Sequence, residues 1–530
     1  MATQLATQSK ALGGGLALRI AQTTSFFENP FVLWLSAMLG FLSLLFIGVS
    51  EHSLLSTLVI GSALLLIGFL LLALERNHTG TVHLLLKQFV VAYGFRIFAA
   101  LLMHLVMMQF YSVPWQYSDE SGFCCSRSEY VLRAWQTGTI LRLNPIWSDT
   151  VIWAWLQVVG FTRFLGSLLG ADTFFNLRLL NSFAGALLVP YVFKLANRLF
   201  DPQVAKTAAM LAFLLPDYLY YSTTILRDVF VSLVLCIIFY QMVEFNLGKS
   251  NLWRLVLALA LNFGFIHFSR YMLSLVVMGI IMLCWVRTSI SSFSGWRRLK
   301  QITLLAVLSG SVFIVLRQFI PVDSALSLQR LLDPAHLAST ASGYTERTLN
   351  LASYDSLGAK ILTLPGYARV TLSTAHVLLT PFPPWGPFQQ GGFQSLDSLM
   401  ESLVGIIWYM IVPWLVLGLW DSFWRRNQET VWVWLPTAVF LLMLGSGTGA
   451  VIRWRLMVMP FMLILIAHGM AVANRYRPGL FLIRLGLFGL LILYMVIKYL
   501  SPSLGLVYSF ALLAGIGLLV FLAASMHKRT

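Results

Sequence analysis

Two adjacent acids, Asp119 and Glu120, stand at the centre of Trp115-Gln-Tyr-Ser-Asp-Glu-Ser-Gly-Phe123, in a chain with only 20 acidic residues in 530. They follow directly on a long apolar run, Ile97 to Phe110. If that run crosses a bilayer, both carboxylates emerge at the membrane surface. A carboxylate fixed there can take the proton of an incoming hydroxyl. By spacing alone either acid, or both as a pair, can be that base.

A second set of residues answers a different chemistry. Arg178, Arg227 with Asp228, His267 with Arg270, and Arg453 with Arg455 all stand beside apolar runs. Ionisable groups at membrane depth are costly and point to a task. A guanidinium presents donors in a fork that fits phosphate oxygens. Arginines for a phosphate and an acid for a hydroxyl together describe transfer of a group from a lipid phosphate to an acceptor. Each residue also has a plainer reading. Arg453 and Arg455 can snorkel at a span end, Arg227 and Asp228 can form a local pair at a helix start, and His267 can be a packed or capping histidine. Arg96 reads as an inner span boundary.

The elements that must position these residues are membrane helices. With 58% hydrophobic residues, 11% charged residues and a mean hydropathy of +0.80, the composition excludes a soluble globule. The net charge of +16 is spread over short loops instead of clustering on one segment, which argues against nucleic acid. Four cysteines, two of them the neighbours Cys124 and Cys125, form no disulfide framework or zinc pattern. Apolar runs predict about fourteen spans, at 31–49, 55–74, 97–114, 174–197, 203–216, 227–245, 254–267, 271–286, 302–320, 401–419, 430–447, 456–473, 480–497 and 503–523. With the N-terminus inside, every inner loop carries Lys or Arg, as topology requires. Counting 151–169 as a span would reverse all later loops, so it is expected to be an interfacial helix outside, with 82–95 an interfacial helix inside. Two outer loops are then large, 115–173 and 321–400. The second contains Trp385 within a proline-rich aromatic stretch, where it could stack on a sugar.

These features resemble the GT-C superfamily of polyprenyl-phosphate-sugar-dependent membrane glycosyltransferases. Tyr117-Ser-Asp119-Glu120 is similar to the family's acidic motif in the first large outer loop. Pro216, Tyr221-Ser222 and Arg227-Asp228 resemble its outer-side stretch at the start of a span, and Arg453-Trp-Arg455-Leu…Pro460 resembles a late arginine signature. The resemblance implies an all-α polytopic enzyme with interfacial helices in its outer loops, a 97–475 catalytic core, an N-terminal addition over 1–96 and C-terminal spans over 476–530. It implies Asp119 as base with Glu120 as alternative or partner, and donor-phosphate binding by Arg453, Arg270, Arg455 and Arg178. Tyr117, Arg227, Asp228, His267 and Trp385 are expected to contact substrate.

The implied partners are a polyprenyl-phosphate-linked sugar donor, a glycan, lipid or protein acceptor and the bilayer, with no nucleic acid and an oligomeric state left open. No cofactor is called for; no metal ligands are assigned, and a divalent metal is left open. The expected location is a bacterial inner membrane with the site on the periplasmic face. The motif follows the third predicted span instead of the family's first, so two spans are extra. Rival readings are a polysaccharide polymerase or O-antigen ligase using Arg330, His336, Arg347, Arg369 and His376, a lipid-linked sugar flippase, or a scaffold.

Overall fold

The structure is a computed structural model that describes residues 26–74, 82–115, 120, 122, 127–139, 153–247, 252–269, 271–290, 361, 366–379, 384, 396–424, 428–447 and 455–500. Every regular element among them is helical. Among the described residues six helices are long and apolar enough to cross a membrane: α1 (Pro30–Ser50), α2 (Leu54–Leu74), α3 (Val82–Tyr111), α6 (Phe174–Leu199), α9 (Asp228–Asn246) and α13 (Leu396–Trp424). Shorter apolar helices add to them. The protein is a multi-pass integral membrane protein. The expected spans over 203–216, 254–267 and 271–286 form α7 (Pro202–Leu214), α10 (Leu252–Ser269) and α11 (Tyr271–Ile290), which are not among the six. Those expected at 302–320 and 503–523 lie outside the described residues.

The described residues fall into two compact units, one drawn from Met1–Leu275 and Leu299–Pro321, the other from Val276–Arg298 and Val322–Thr530. In the first, α1 begins where the Asn29 side chain accepts from Phe31 N and Pro30 supplies the first helical residue. A three-residue turn joins it to α2. Helix α3 is one continuous element of 30 residues. This corrects the expectation of a separate interfacial helix over 82–95. Nothing in that stretch breaks a helix, because Gly94 is the point of contact with α1 and not a stop. A Cβ at Gly40 would lie 2.8 Å from Gly94 Cα, so only glycine lets the two backbones meet. Arg96, read as an inner boundary, is instead in mid-helix and wholly buried.

Helix α6 is the axis of this unit and is almost entirely buried, packed by α3, α7 and α9. Asp201 caps α7 by accepting from Gln203 N and Val204 N. Leu215 takes an extended conformation (φ −61°, ψ 122°) ahead of Pro216, which ends α7 and starts the short α8 (Pro216–Tyr221). The first large loop folds as α4 (Arg127–Gln136) against α5 (Trp153–Leu168), with Trp135 packed on Phe161 and Phe164. The stretch expected to be an interfacial helix is helical over 153–168.

In the second unit α12 (Gly366–Leu379) packs on α14 (Val431–Gly447), and α13 packs on α15 (Met459–Val472), with α16 (Arg477–Leu500) beside α13. The α13–α15 crossing is a backbone contact: a Cβ at Gly418 would run into Leu465 O, and one at Gly469 into Trp414 O.

Candidate active site

The site is built on one face of α6. Arg178, Asn181, Ser182 and Gly185 recur at helical spacing and so line one stripe. All face the segment that leaves α8 and enters α9, residues 222–228. Ser222, Thr223 and Thr224 donate their N–H groups back to α8 carbonyls; the carbonyls of 222–226 have no helical ladder, and every residue of the segment but Arg227 is buried. Those carbonyls need partners from elsewhere, and α6 provides most of them. Arg178 Nη1 donates to Thr223 O at 2.9 Å, the Asn181 amide donates to Thr224 O and to Leu226 O (2.7 Å for the latter), and Ser182 Oγ donates to Ser222 O at 3.3 Å.

The acidic stretch closes on the same turn. Ile225 N donates to Glu120 Oε1 at 2.7 Å, and Glu120 is fully buried. Arg178 Nη2 reaches Pro114 O at 2.6 Å, at the head of that stretch. One guanidinium thus holds both the 223 carbonyl and the residue that leads into Asp119 and Glu120. Its own position is fixed by the Phe174 ring, 5.2 Å from its central carbon, and Glu120, Tyr220 and Glu51 are within its electrostatic reach. Below the turn Arg96 Nη2 donates to Ala212 O at 3.0 Å. Beyond it Arg227 Nη1 donates to Ser269 O at 2.7 Å and joins the start of α9 to the end of α10. Burial pushes the Tyr218 phenol of α8 well above its ordinary value, with the Ser232 hydroxyl working against that.

The structure therefore brings together Glu120, Arg178, Arg227 and Asp228, the last buried as the first residue of α9. Tyr117, Asp119, Arg270, Trp385 and Arg453 lie outside the described residues. His267 belongs to α10, two residues before Ser269. In the second unit Arg455 is buried, its central carbon 4.1 Å from the centroid of the Trp408 ring. Arg178 was expected to meet a donor phosphate; both of its Nη atoms are engaged by backbone carbonyls. Of the rival loop set, burial lowers His376 of α12 to about 4, which keeps it neutral at physiological pH.

Three contributors escape a reading of the sequence. Asn181 is a polar residue inside an apolar run, a signal that was there to be used. Arg96 counts as a loop charge only if the helix is cut at 97. Glu51 pairs with His104 at 2.9 Å across an interval of 53 residues that no local pattern connects. Among the described residues no group of three or more His, Cys, Asp and Glu side chains could hold a metal ion.

Among the described residues the bundle is helical throughout, with Glu120 and two arginines gathered on one turn. Residues 154–317 match the family model described as dolichyl-phosphate-mannose-protein mannosyltransferase, which supports a membrane glycosyltransferase of GT-C type. The match covers less than a third of the chain, from α5 through the 222–228 turn and α11. It includes Arg178, Arg227 and Asp228 and leaves out the acidic stretch and the late arginine signature. No curated protein matches the chain.

Proposed function

We propose that the protein transfers a sugar from a polyprenyl-phosphate-linked donor to an acceptor hydroxyl at the periplasmic face of a bacterial inner membrane, with inversion at the anomeric carbon. Asp119 takes the acceptor's proton as the acceptor oxygen bonds to the anomeric carbon. The bond from that carbon to the carrier phosphate breaks, and the electron pair leaves with the phosphate. Arg453 and Arg270 stabilise the charge that develops there. Glu120 orients the stretch, and Tyr117, His267 and Trp385 contact the substrates. The sugar and the acceptor, whether glycan, lipid or protein, are left to be identified.

The observation that carries this reading is the hydrogen bond from Ile225 N to Glu120. It ties the acidic stretch to a turn inside the segment that matches a glycosyltransferase family. Glu120 accepts from a buried backbone amide, which favours Asp119 as the base. The test is Asp119→Asn in the full-length protein. Transfer from a polyprenyl-phosphate sugar is expected to fall at least a hundredfold, with membrane insertion unchanged. Undiminished transfer in that variant would remove Asp119 from the reaction.

A further inference from the structure

The break between α7 and α8 is held by a residue of neither helix, and one that lies outside the segment matched by the family model. In an unbroken helix Ala212 O would accept from the N–H of residue 216. Pro216 has no N–H, and its ring pushes Leu215 into the extended conformation that ends α7. Ala212 is fully buried, so its carbonyl needs a donor from elsewhere. Arg96 of α3 supplies it, with Nη2 donating to Ala212 O at 3.0 Å. The neighbouring residues meet as well, the Phe95 ring lying 5.3 Å from that of Phe213. One guanidinium N–H thus takes the place of the amide that the proline removes.

The path of the side chain ties this bond to the 222–228 turn. Arg96 reaches Ala212 past Gly185 of α6. A Cβ at Gly185 would lie 2.8 Å from Arg96 Nε, 3.2 Å from Arg96 Cδ and 2.7 Å from Ser222 Cβ. Only glycine leaves room there for both the arginine and the first residue of the turn. Ser222 is also tied to α6 and α8, since its carbonyl accepts from Ser182 Oγ and its hydroxyl donates to Leu219 O at 2.8 Å. Two arginines therefore bracket α8, Arg96 on Ala212 O ahead of it and Arg178 on Thr223 O behind it.

This is a costly way to satisfy one carbonyl. Arg96 is in the middle of a helix long enough to cross a membrane, is fully buried, and has Nε and Nη1 without a hydrogen-bond partner among the described residues. Ionisable groups at that depth are expensive. Any residue but proline at 216 would let the chain satisfy Ala212 O by itself. A proline and a buried arginine together are accounted for if the break itself is what the protein needs.

We propose that Arg96 is a positioning residue for the transfer reaction: it replaces the N–H that Pro216 lacks, keeps the α7–α8 break and, through α8, fixes where the 222–228 turn stands. The proposal rests on the reaction proposed above for its kinetic test and on the geometry alone for a second test.

The kinetic test uses the full-length protein and a polyprenyl-phosphate sugar. Arg96→Met is expected to lower kcat about tenfold per folded molecule while donor KM stays within about threefold of wild type, because a buried residue that holds the turn touches no substrate. An unchanged kcat would overturn the proposal. The double variant Arg96→Met with Pro216→Ala separates position from stability. Its new amide can bond to Ala212 O, so the melting temperature is expected to return towards wild type, while kcat is expected to stay low because α7 then runs on into α8. A kcat that returns with the melting temperature would show that the arginine serves stability alone. A melting temperature that stays with that of Arg96→Met would refute the replacement of the missing N–H. Should Arg96→Met fail to insert, the double variant carries the test.

The second test needs no substrate. The amides of Thr223, Thr224 and Ile225 donate to Tyr220 O, Tyr221 O and Glu120. Their hydrogen exchange is expected to rise severalfold in Arg96→Met relative to the amides of α9. Unchanged relative exchange would overturn the link from Arg96 to the turn. If the wild-type protein transfers no sugar from any lipid-linked donor, the reaction assignment fails, and the exchange measurement still decides this one.

Discussion

The two units each bury a polar cluster, and the clusters solve opposite problems. In the first, the 222–228 turn has backbone groups with no ladder to satisfy them, and Arg178, Asn181, Ser182 and Glu120 spend their polar atoms on that backbone. In the second, α13 and α15 are regular helices whose backbones are already paired. Their polar residues bond to each other: His468 Nε2 lies 2.7 Å from Asp421 Oδ2, and Tyr476 OH donates to Asp421 Oδ1 at 2.9 Å. Burial and the Asp421 charge both raise Tyr476, which therefore stays a donor. The first cluster fixes the shape of an irregular segment, and the second fastens a crossing whose closeness comes from Gly418 and Gly469. Polar groups that hold irregular backbone belong to a site that must keep one geometry. Polar groups that tie helices together serve the fold.

The sharpest way to break this contrast is Arg178→Met. The substitution orphans the buried Thr223 carbonyl and the half-buried Pro114 carbonyl and removes the guanidinium that lies within electrostatic reach of Glu120. A loss of about 3–5 kcal/mol in unfolding free energy is expected, together with loss of transfer activity in the molecules that remain folded. Full activity in surviving protein would show that the turn need not be held by α6.

Gly418→Ala tests the other side. Its Cβ would collide with Leu465 O, a backbone atom that cannot swing aside, so the α13–α15 crossing has to open. About 2–3 kcal/mol of destabilisation is expected, read by thermal unfolding in detergent. Asp421→Asn is milder, at about 1–2 kcal/mol, because an amide keeps an acceptor for Tyr476 while losing the charge that strengthens both bonds. In both variants the activity per folded molecule is expected to stay near wild type. A specific loss of activity without a loss of stability would move the Asp421 cluster from fold to function.

What was legible in the sequence follows the same division. The helix class and most helix positions could be read, since apolar runs of about 20 residues leave few alternatives and Asn29-Pro30 and Asp201-Pro202 mark their own helix starts. The acidic stretch and Arg178 could be singled out because charge is conspicuous in an apolar chain. Their partners could not. Glu120 meets Ile225 across 105 residues of sequence, and its partner is a backbone amide that any residue except proline would provide. Arg96 went astray for a related reason: burial against Gly185 and Ala212 O, a property of the packed helices, lets a mid-helix arginine persist where a loop-charge count expects a boundary. Hydropathy separated 82–95 from 97–114 because polar residues thin the apolar run, although nothing there stops the helix.

The smallest expected effect is the most exacting about electrostatics. Asp172, in the turn between α5 and α6, accepts from Arg163 Nε at 2.7 Å, and Arg163 also reaches Ser128 Oγ and Glu129 Oε2. That pairing favours the charged carboxylate, yet burial is the larger influence and Glu129 adds to it, so Asp172 sits above its ordinary value. Folding therefore favours its protonated form. The stability it contributes is fully present below its unfolded value and is lost as pH rises through the raised folded one. Asp172→Asn stays neutral at every pH. It is expected to match the wild type in acid and to differ by no more than about 0.5 kcal/mol at neutral pH, after allowance for solvent screening of a partly exposed pair. Thermal unfolding across the carboxylate range checks this. A loss above about 1 kcal/mol at neutral pH would mean that the Arg163 pair outweighs burial. The pairing of α4 with α5 would then be held by charge, instead of by the packing of Trp135 on Phe161 and Phe164.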